Sequence, residues 1–322
     1  MAAPRDVVER FGDRMAALAL VRPKRPEPLP VRIGRKRIYV LPTAFGLFVA
    51  VLLGAMLLGG LNYNNNPALL FAFLLAAVAH NSLVHAHLLL SGVRLKALHA
   101  DPVFAGQPLR MRLRFEGEGA RARDGLEVLG AGVHVVFSLP ANEEHEAVLE
   151  IPTHRRGWLD PGRLRLSTVR PLGLARAWSW LRPEVRLLVY PALDPEAPPL
   201  PEALGDGDSP RTRAHGDQPH HLREYRIGDM PRQIAWKASA RADRLLVREY
   251  EAAVARDIDL DWDATRELPH EARIRRLARW VLEAERSGSR YSLRLPGQAV
   301  AAGQGAEHRH ACLRALALLP DA

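Results

Sequence analysis

Cysteine is nearly absent from this chain: Cys312 stands alone among 322 residues. A lone thiol excludes an intrachain disulfide and fits a reducing compartment for the soluble part. Charge is absent from one long interval, because residues 39–91 hold no Asp, Glu, Lys or Arg. Missing too are a glycine-rich phosphate loop, a Cys/His metal spacing and a nucleophile set beside a base. An enzyme reading therefore has little to build on.

The uncharged interval divides into two apolar spans, 39–61 and 68–90, around the polar turn 62–67, "NYNNNP". Each span is close to the roughly 20 residues a helix needs to cross hydrocarbon. So long a run without charge is rare in a soluble core, and two successive full-length spans do not fit a cleaved signal. The sequence predicts a transmembrane helical hairpin over 39–91. Net charge is +9, and residues 1–38 supply +6 of it through ten Lys/Arg against four acids. Basic residues thus precede the first span, and Arg94 and Lys96 follow the second. The positive-inside rule then puts both termini in the cytoplasm and the Asn-rich turn outside. His80, Asn81, His85 and His87 are expected at the cytoplasmic interface, a buried proton or metal relay being the sharper alternative.

Residues 92–191 read as β structure. In "PLRMRLRFEG", Leu109, Met111, Leu113 and Phe115 alternate with arginines, the period of a half-buried strand. Further short strands are predicted at 133–139, 146–152, 163–169 and 184–191, punctuated by Gly and Pro, which argues for an antiparallel β-sandwich. Trp158, Trp178 and Trp180 are expected as core or corner aromatics. Residues 192–219, rich in Pro, Gly and Asp, read as a flexible linker. From 220 to 322 the signals alternate between strand and helix. The amphipathic segment 270–288 carries Ile274, Leu277, Ala278, Val281 and Leu282 on its apolar stripe. A small α/β domain is predicted there.

The densest stretch is "LREYRIGDMPRQIAWKASARADRLLVREYE", 222–251. Asp229 is a candidate N-cap and Pro231 a first-turn residue of a helix carrying Arg232 and Trp236 one turn apart. Glu224, Asp229, Asp243, Glu249 and Glu251 nearly balance Arg223, Arg232, Lys237 and Arg241. A nucleic-acid surface wants an unbalanced charge, so none is predicted. Mixed signs suit an ion-pair seam with Arg stacked on the Trp236 indole, which doubles as a docking face. No small-molecule substrate is identified. Further on, "DIDLDWD" sets Asp257, Asp259, Asp261 and Asp263 on one strand face. Asp259, Asp261 and Asp263 are the candidate Mg²⁺ or Ca²⁺ ligands, an acidic solvent face being the simpler alternative.

The segment from Arg223 through Tyr225, Gly228, Asp229, Arg232, Trp236, Lys237 and Arg241 to Glu249 resembles the signature of the bacterial domain-of-unknown-function family 58. "LPTAFG", "LNYNNNPALL", "PTHRRGWLDPGRLRLSTVRPLGLARAW" and "LVYP" extend the resemblance over roughly 30–265. It implies a membrane hairpin, a β-sandwich and a domain similar to von Willebrand factor A. It also implies a MoxR-type AAA+ ATPase as partner and a place in the bacterial inner membrane. "DWDAT" stands where the metal-binding Asp-x-Ser-x-Ser of such a domain would be, and a truncated half-sheet is expected. The function expected from all this is that of a membrane-tethered adaptor rather than an enzyme. The alternative is a metal-dependent binding or hydrolytic domain.

Overall fold

The computed structural model describes residues 25–201, 219–225, 234–242, 244–250 and 257–320. The chain forms two compact units that meet at residues 190 and 191.

Unit one begins with two short strands, β1 (Val31–Arg32) and β2 (Tyr39–Pro42), before helices α1 (Ala44–Asn62) and α2 (Asn66–Leu90). The strands β3 (Val93–Ala100), β4 (Val103–Phe104), β5 (Leu109–Gly117), β6 (Arg123–Gly130), β7 (Val133–Leu139) and β8 (Glu144–Ile151) follow. β9 (Gly157–Leu159), β10 (Leu164–Thr168), β11 (Ala175–Leu181) and β12 (Leu187–Tyr190) complete the unit. They form sheets in the orders β1-β3-β5-β8, β2-β11-β10-β6-β7 and β4-β12-β9. Only β4 and β12 pair in parallel; the other described ladders of this unit are antiparallel.

The alternation read in β5 sets its two faces. Leu109, Met111, Leu113 and Phe115 are fully buried and share a core with Leu126, Val128, Leu164 and Leu166 of the second sheet. Phe115 stacks on Phe137 with ring centroids 5.0 Å apart. On the outer face Arg110 meets Glu150 at 3.0 Å, and Arg112 and Arg114 lie near Glu146 at 3.9 Å. Exposed pairs of this kind add little each, so the apolar layer between the sheets holds the unit together. Trp178 is buried as expected, but Trp158 is exposed and Trp180 half-buried. The Trp158 expectation is corrected: it lies in a three-residue strand of the small third sheet and is 46% exposed.

The hairpin is an insertion into this β unit, and its lower end is part of the fold. α1 starts at Ala44, not 39, because Tyr39–Pro42 pair with Ala175–Trp178 of β11. Val31, Ile33 and Ile38 are buried in the core, so the segment before the hairpin is not merely a basic tail. Arg37 forks onto Glu27 with two 2.7 Å bonds and also donates to the Trp180 carbonyl.

Two motifs far apart in sequence interlock here. Thr43 caps α1, its Oγ accepting from Gly46 N at 3.0 Å while donating to the Gly173 carbonyl at 2.5 Å. A Cβ on Gly46 would stand 1.8 Å from the Leu174 carbonyl oxygen, so only glycine allows this approach. In the turn, Asn65 caps α2 by accepting from Ala68 N at 3.1 Å. At the other end of α2, Ala86 and Leu90 are buried in the β core.

Both helices are long and apolar enough to cross a membrane, yet only 6% and 11% of their most apolar stretches are buried. Phe45, Phe48, Val51, Leu58, Phe71 and Phe73 are among the exposed side chains. A soluble core hairpin would cover these surfaces.

Unit two contains β13 (Pro219–Glu224), α3 (Trp236–Ala242), β14 (Leu246–Tyr250) and β15 (Ile258–Asp261). After these come α4 (His270–Arg286), β16 (Tyr291–Leu295), β17 (Gln298–Gly303) and α5 (Ala306–Ala317). β13 and β14 pair antiparallel. β15 and β16 pair in parallel across the α4 crossover, and β17 returns antiparallel on β16. The predicted stripe of α4 is buried at Ile274, Leu277, Ala278 and Val281, with Trp280 added and Leu282 half-buried.

The start of the expected linker is not free chain. Asp194 bonds Arg276 at 2.5 Å and Trp280 Nε1 donates to the Pro198 carbonyl at 2.9 Å, laying that stretch along α4.

Candidate functional site

The signature stretch forms a small hairpin with a helix laid against it. Tyr225 N donates to the Leu245 carbonyl and Ala235 N to the Leu246 carbonyl, at 2.9 and 2.8 Å. Ile234 makes a β-bridge with Val247, so α3 begins at Trp236 rather than near Pro231. Ser239 fastens the helix: its Oγ accepts from Leu246 N at 2.8 Å and donates to the Leu246 carbonyl at 3.3 Å. A buried hydroxyl satisfying a strand's donor and acceptor replaces the ladder bonds that α3 interrupts.

The outward side of α3 carries the signature's chemistry. Trp236 is 64% exposed, and Lys237, Ala240 and Arg241 are exposed beside it, while Ala235 and Ser239 are buried. At 3.6 residues per turn these four positions span an arc of about 140°. Leu245, 47% exposed, adds a second apolar side chain.

The stacking of Arg232 on Trp236 that the seam expectation calls for lies outside the described residues. Arg244, exposed, bridges to Glu224 at 2.7 Å on the surface. Gly228, Asp229 and Arg232 lie outside the described residues, and for Arg223 and Glu249 the backbone alone is described. Their register is fixed: Arg223 faces Val247 and Glu249 faces His221.

The acidic row is also rearranged. Ile258, Leu260 and Trp262 are buried, as the alternation requires. Asp259 lies between Ser292 Oγ at 2.7 Å and Arg294 at 2.6 Å, and Asp257 approaches Arg290 at 3.6 Å. Asp263 leaves the strand for a 3₁₀ turn, Asp263–Thr265, where its backbone N–H donates to Asp261 Oδ1 at 3.0 Å. Asp259, Asp261 and Asp263 therefore do not converge. Among the described residues no three His, Cys, Asp or Glu side chains are grouped to hold a metal ion. His80, Asn81 and His85 are exposed on α2, and His87 is half-buried.

One cluster gave no sequence signal. Tyr291 Oη donates to Glu285 Oε2 at 3.2 Å, and the His308 ring packs at a tilt against Tyr291, centroids 4.6 Å apart, with Cys312 Sγ 3.6 Å from its Nε2. That His–Cys contact is not an activated nucleophile. His308 Nε2 also meets the Tyr291 carbonyl at 2.8 Å and must donate to it, so this nitrogen has no lone pair for the thiol. Burial, with the Glu285 charge adding, pushes the Cys312 thiol up to about 12. Burial likewise raises the Tyr291 hydroxyl. The cluster is packing, not catalysis.

No curated protein and no solved structure matches the chain significantly. Residues 221–320 match a family model. The match begins at the signature and takes in α3, β15, α4, β16, β17 and α5, leaving out the hairpin and the β-rich unit. The family is the one described as "Protein of unknown function DUF58", and the match covers about a third of the chain.

Proposed function

We propose that this chain is a scaffold tethered in the bacterial inner membrane by α1 and α2. Both termini then lie in the cytoplasm, and the outward face of α3 recruits a protein partner there. The observation that carries the reading is the exposure of Trp236 beside Lys237 and Arg241 on a helix fastened from beneath by Ser239. Exposed aromatic and cationic residues held on a rigid element are what interface anchors are made of. The proposed partner, in keeping with the sequence resemblance, is a MoxR-type AAA+ ATPase.

Membrane tethering is supported by the uncovered apolar sides of α1 and α2 and by the basic residues flanking them. The β15–α4–β16 crossover with its acidic loop is the part that supports likeness to a von Willebrand factor A domain. Arg294 and Ser292 engage Asp259, which weighs against the metal-dependent alternative. Reporter fusions test the anchor. A periplasmic reporter in the Asn62–Asn66 turn and a cytoplasmic one at the C-terminus should both be active. Activity of a periplasmic reporter at the C-terminus would overturn the topology and, with it, the recruitment of an ATP-driven partner.

A further inference from the structure

We infer that the cleft at the foot of the hairpin is an anion site that takes the phosphodiester headgroup of an anionic phospholipid. The inference rests on the membrane reading above. The cleft has a volume of about 820 Å³, is open to solvent, and lies where α2 ends, between Leu88 and Ser91 on one side and the 118–123 segment on the other. Four arginines line it, Arg32, Arg35, Arg121 and Arg123, against the single carboxylate of Glu118.

That carboxylate is already engaged. Glu118 binds Arg32 at 2.5 Å and is also held by Arg94, which lies outside the cleft lining. Partial burial pushes its carboxyl up, but the Arg94 and Arg32 guanidiniums hold it, on balance, below the usual range. Arg35 and Arg121 are exposed and have no carboxylate partner among the described residues.

Arg123 is the built element. It is 2% exposed, and its guanidinium donates to the carbonyls of Ser91, Glu118 and Arg121 at 3.2, 2.8 and 3.2 Å. Gly117 makes room for it, since a Cβ there would stand 1.9 Å from Arg123 Nη1. Its Nε has no partner. Carbonyls take hydrogens of its two terminal nitrogens but leave Nε and the positive charge unmatched, and burial with the neighbouring Arg121 charge lowers its proton affinity. An anion in the cleft would compensate that charge.

Arginine forks match phosphate oxygens, and basic pockets beside the cytoplasmic ends of membrane helices suit anionic headgroups. The end of α2 sets the cleft at headgroup depth in the proposed topology. A free phosphate offers the same chemistry, and the experiment separates the two sources.

Purified full-length chain is equilibrated in detergent with equimolar phosphatidylglycerol and phosphatidylcholine, and retained lipid is read by native mass spectrometry. Wild type should retain phosphatidylglycerol preferentially. Arg35→Gln with Arg121→Gln should lower that preference by about tenfold or more, with melting unchanged because both side chains are exposed. The paired Lys variants should keep most of it.

Equal retention of both lipids, or a Gln pair that still prefers phosphatidylglycerol, would overturn the site. Raised melting with inorganic phosphate but no lipid preference would assign the cleft to a free anion and overturn the lipid. Alkaline carbonate extraction of membranes is run alongside. Release of wild type would overturn the anchor itself, whereas retention with no lipid preference would overturn only the cleft.

Discussion

Replacing Trp236 with Ala separates a docking face from a structural seam. A tryptophan buries about 150–250 Å² when fully inside. With 64% of the residue exposed, about a third of that is covered here. At roughly 25 cal/mol per Å² the covered area is worth on the order of 1–2 kcal/mol, an upper bound because the unfolded chain is itself partly collapsed. Alanine returns about half a kcal/mol through helix propensity. Trp236→Ala should therefore cost no more than about 1.5 kcal/mol.

Ser239→Ala is the internal comparison. It leaves Leu246 N–H buried without its 2.8 Å acceptor, a loss of about 1–3 kcal/mol. Denaturant melts of the full chain in detergent, followed by circular dichroism, should rank Ser239→Ala as the more damaging change. A loss of 3 kcal/mol or more for Trp236→Ala would mean that the indole is buried after all, and the docking face would be refuted.

Gly46→Val should destabilise the hairpin root by about 1–3 kcal/mol or more, since its Cβ would collide with the Leu174 backbone. Gly54→Val, with nothing within 4 Å, should be nearly silent in the same melt. Cys312 should resist maleimide at pH 7.5 until the chain is unfolded. Stability linked to its burial should stay intact below the free value near 9 and fall as pH climbs towards 12. Rapid labelling of native protein would contradict both statements. Mg²⁺ or Ca²⁺ should leave melting unchanged, whereas a bound ion at a hundredfold excess over Kd would add about 2.7 kcal/mol. A rise abolished by Asp261→Ala would restore the metal reading.

What the sequence made legible was periodic. The uncharged run marked α1 and α2, the alternation over 109–117 marked β5 and both its faces, and the 3.6-residue stripe marked α4. What it hid depends on partners distant in sequence. β1 and β2 have two and four residues, too short to show a period, so their place in the sheets was invisible. Asp194 and Pro198 sit in a Pro-rich stretch whose order comes from Arg276 and Trp280 on α4. The charges of 222–251 suggested a network, but seven helical residues are too few to tell which face is covered. Ser239 and Leu246 settle that face, and nothing in either residue's type announces the bond. Arg123 likewise looks like one more arginine until Gly117 and the end of α2 enclose it.

The most direct test of the account is where the proposed partner ATPase goes. A MoxR-type AAA+ ATPase is co-expressed with the full chain, and membranes are separated from cytosol by ultracentrifugation. The account predicts that the ATPase sediments with membranes only when the chain is present. It should return to the cytosol when the chain carries Trp236→Ala with Lys237→Glu and Arg241→Glu, although that variant remains folded in the membrane. An ATPase that distributes identically with wild type, with the triple variant and with no chain at all would contradict the central claim.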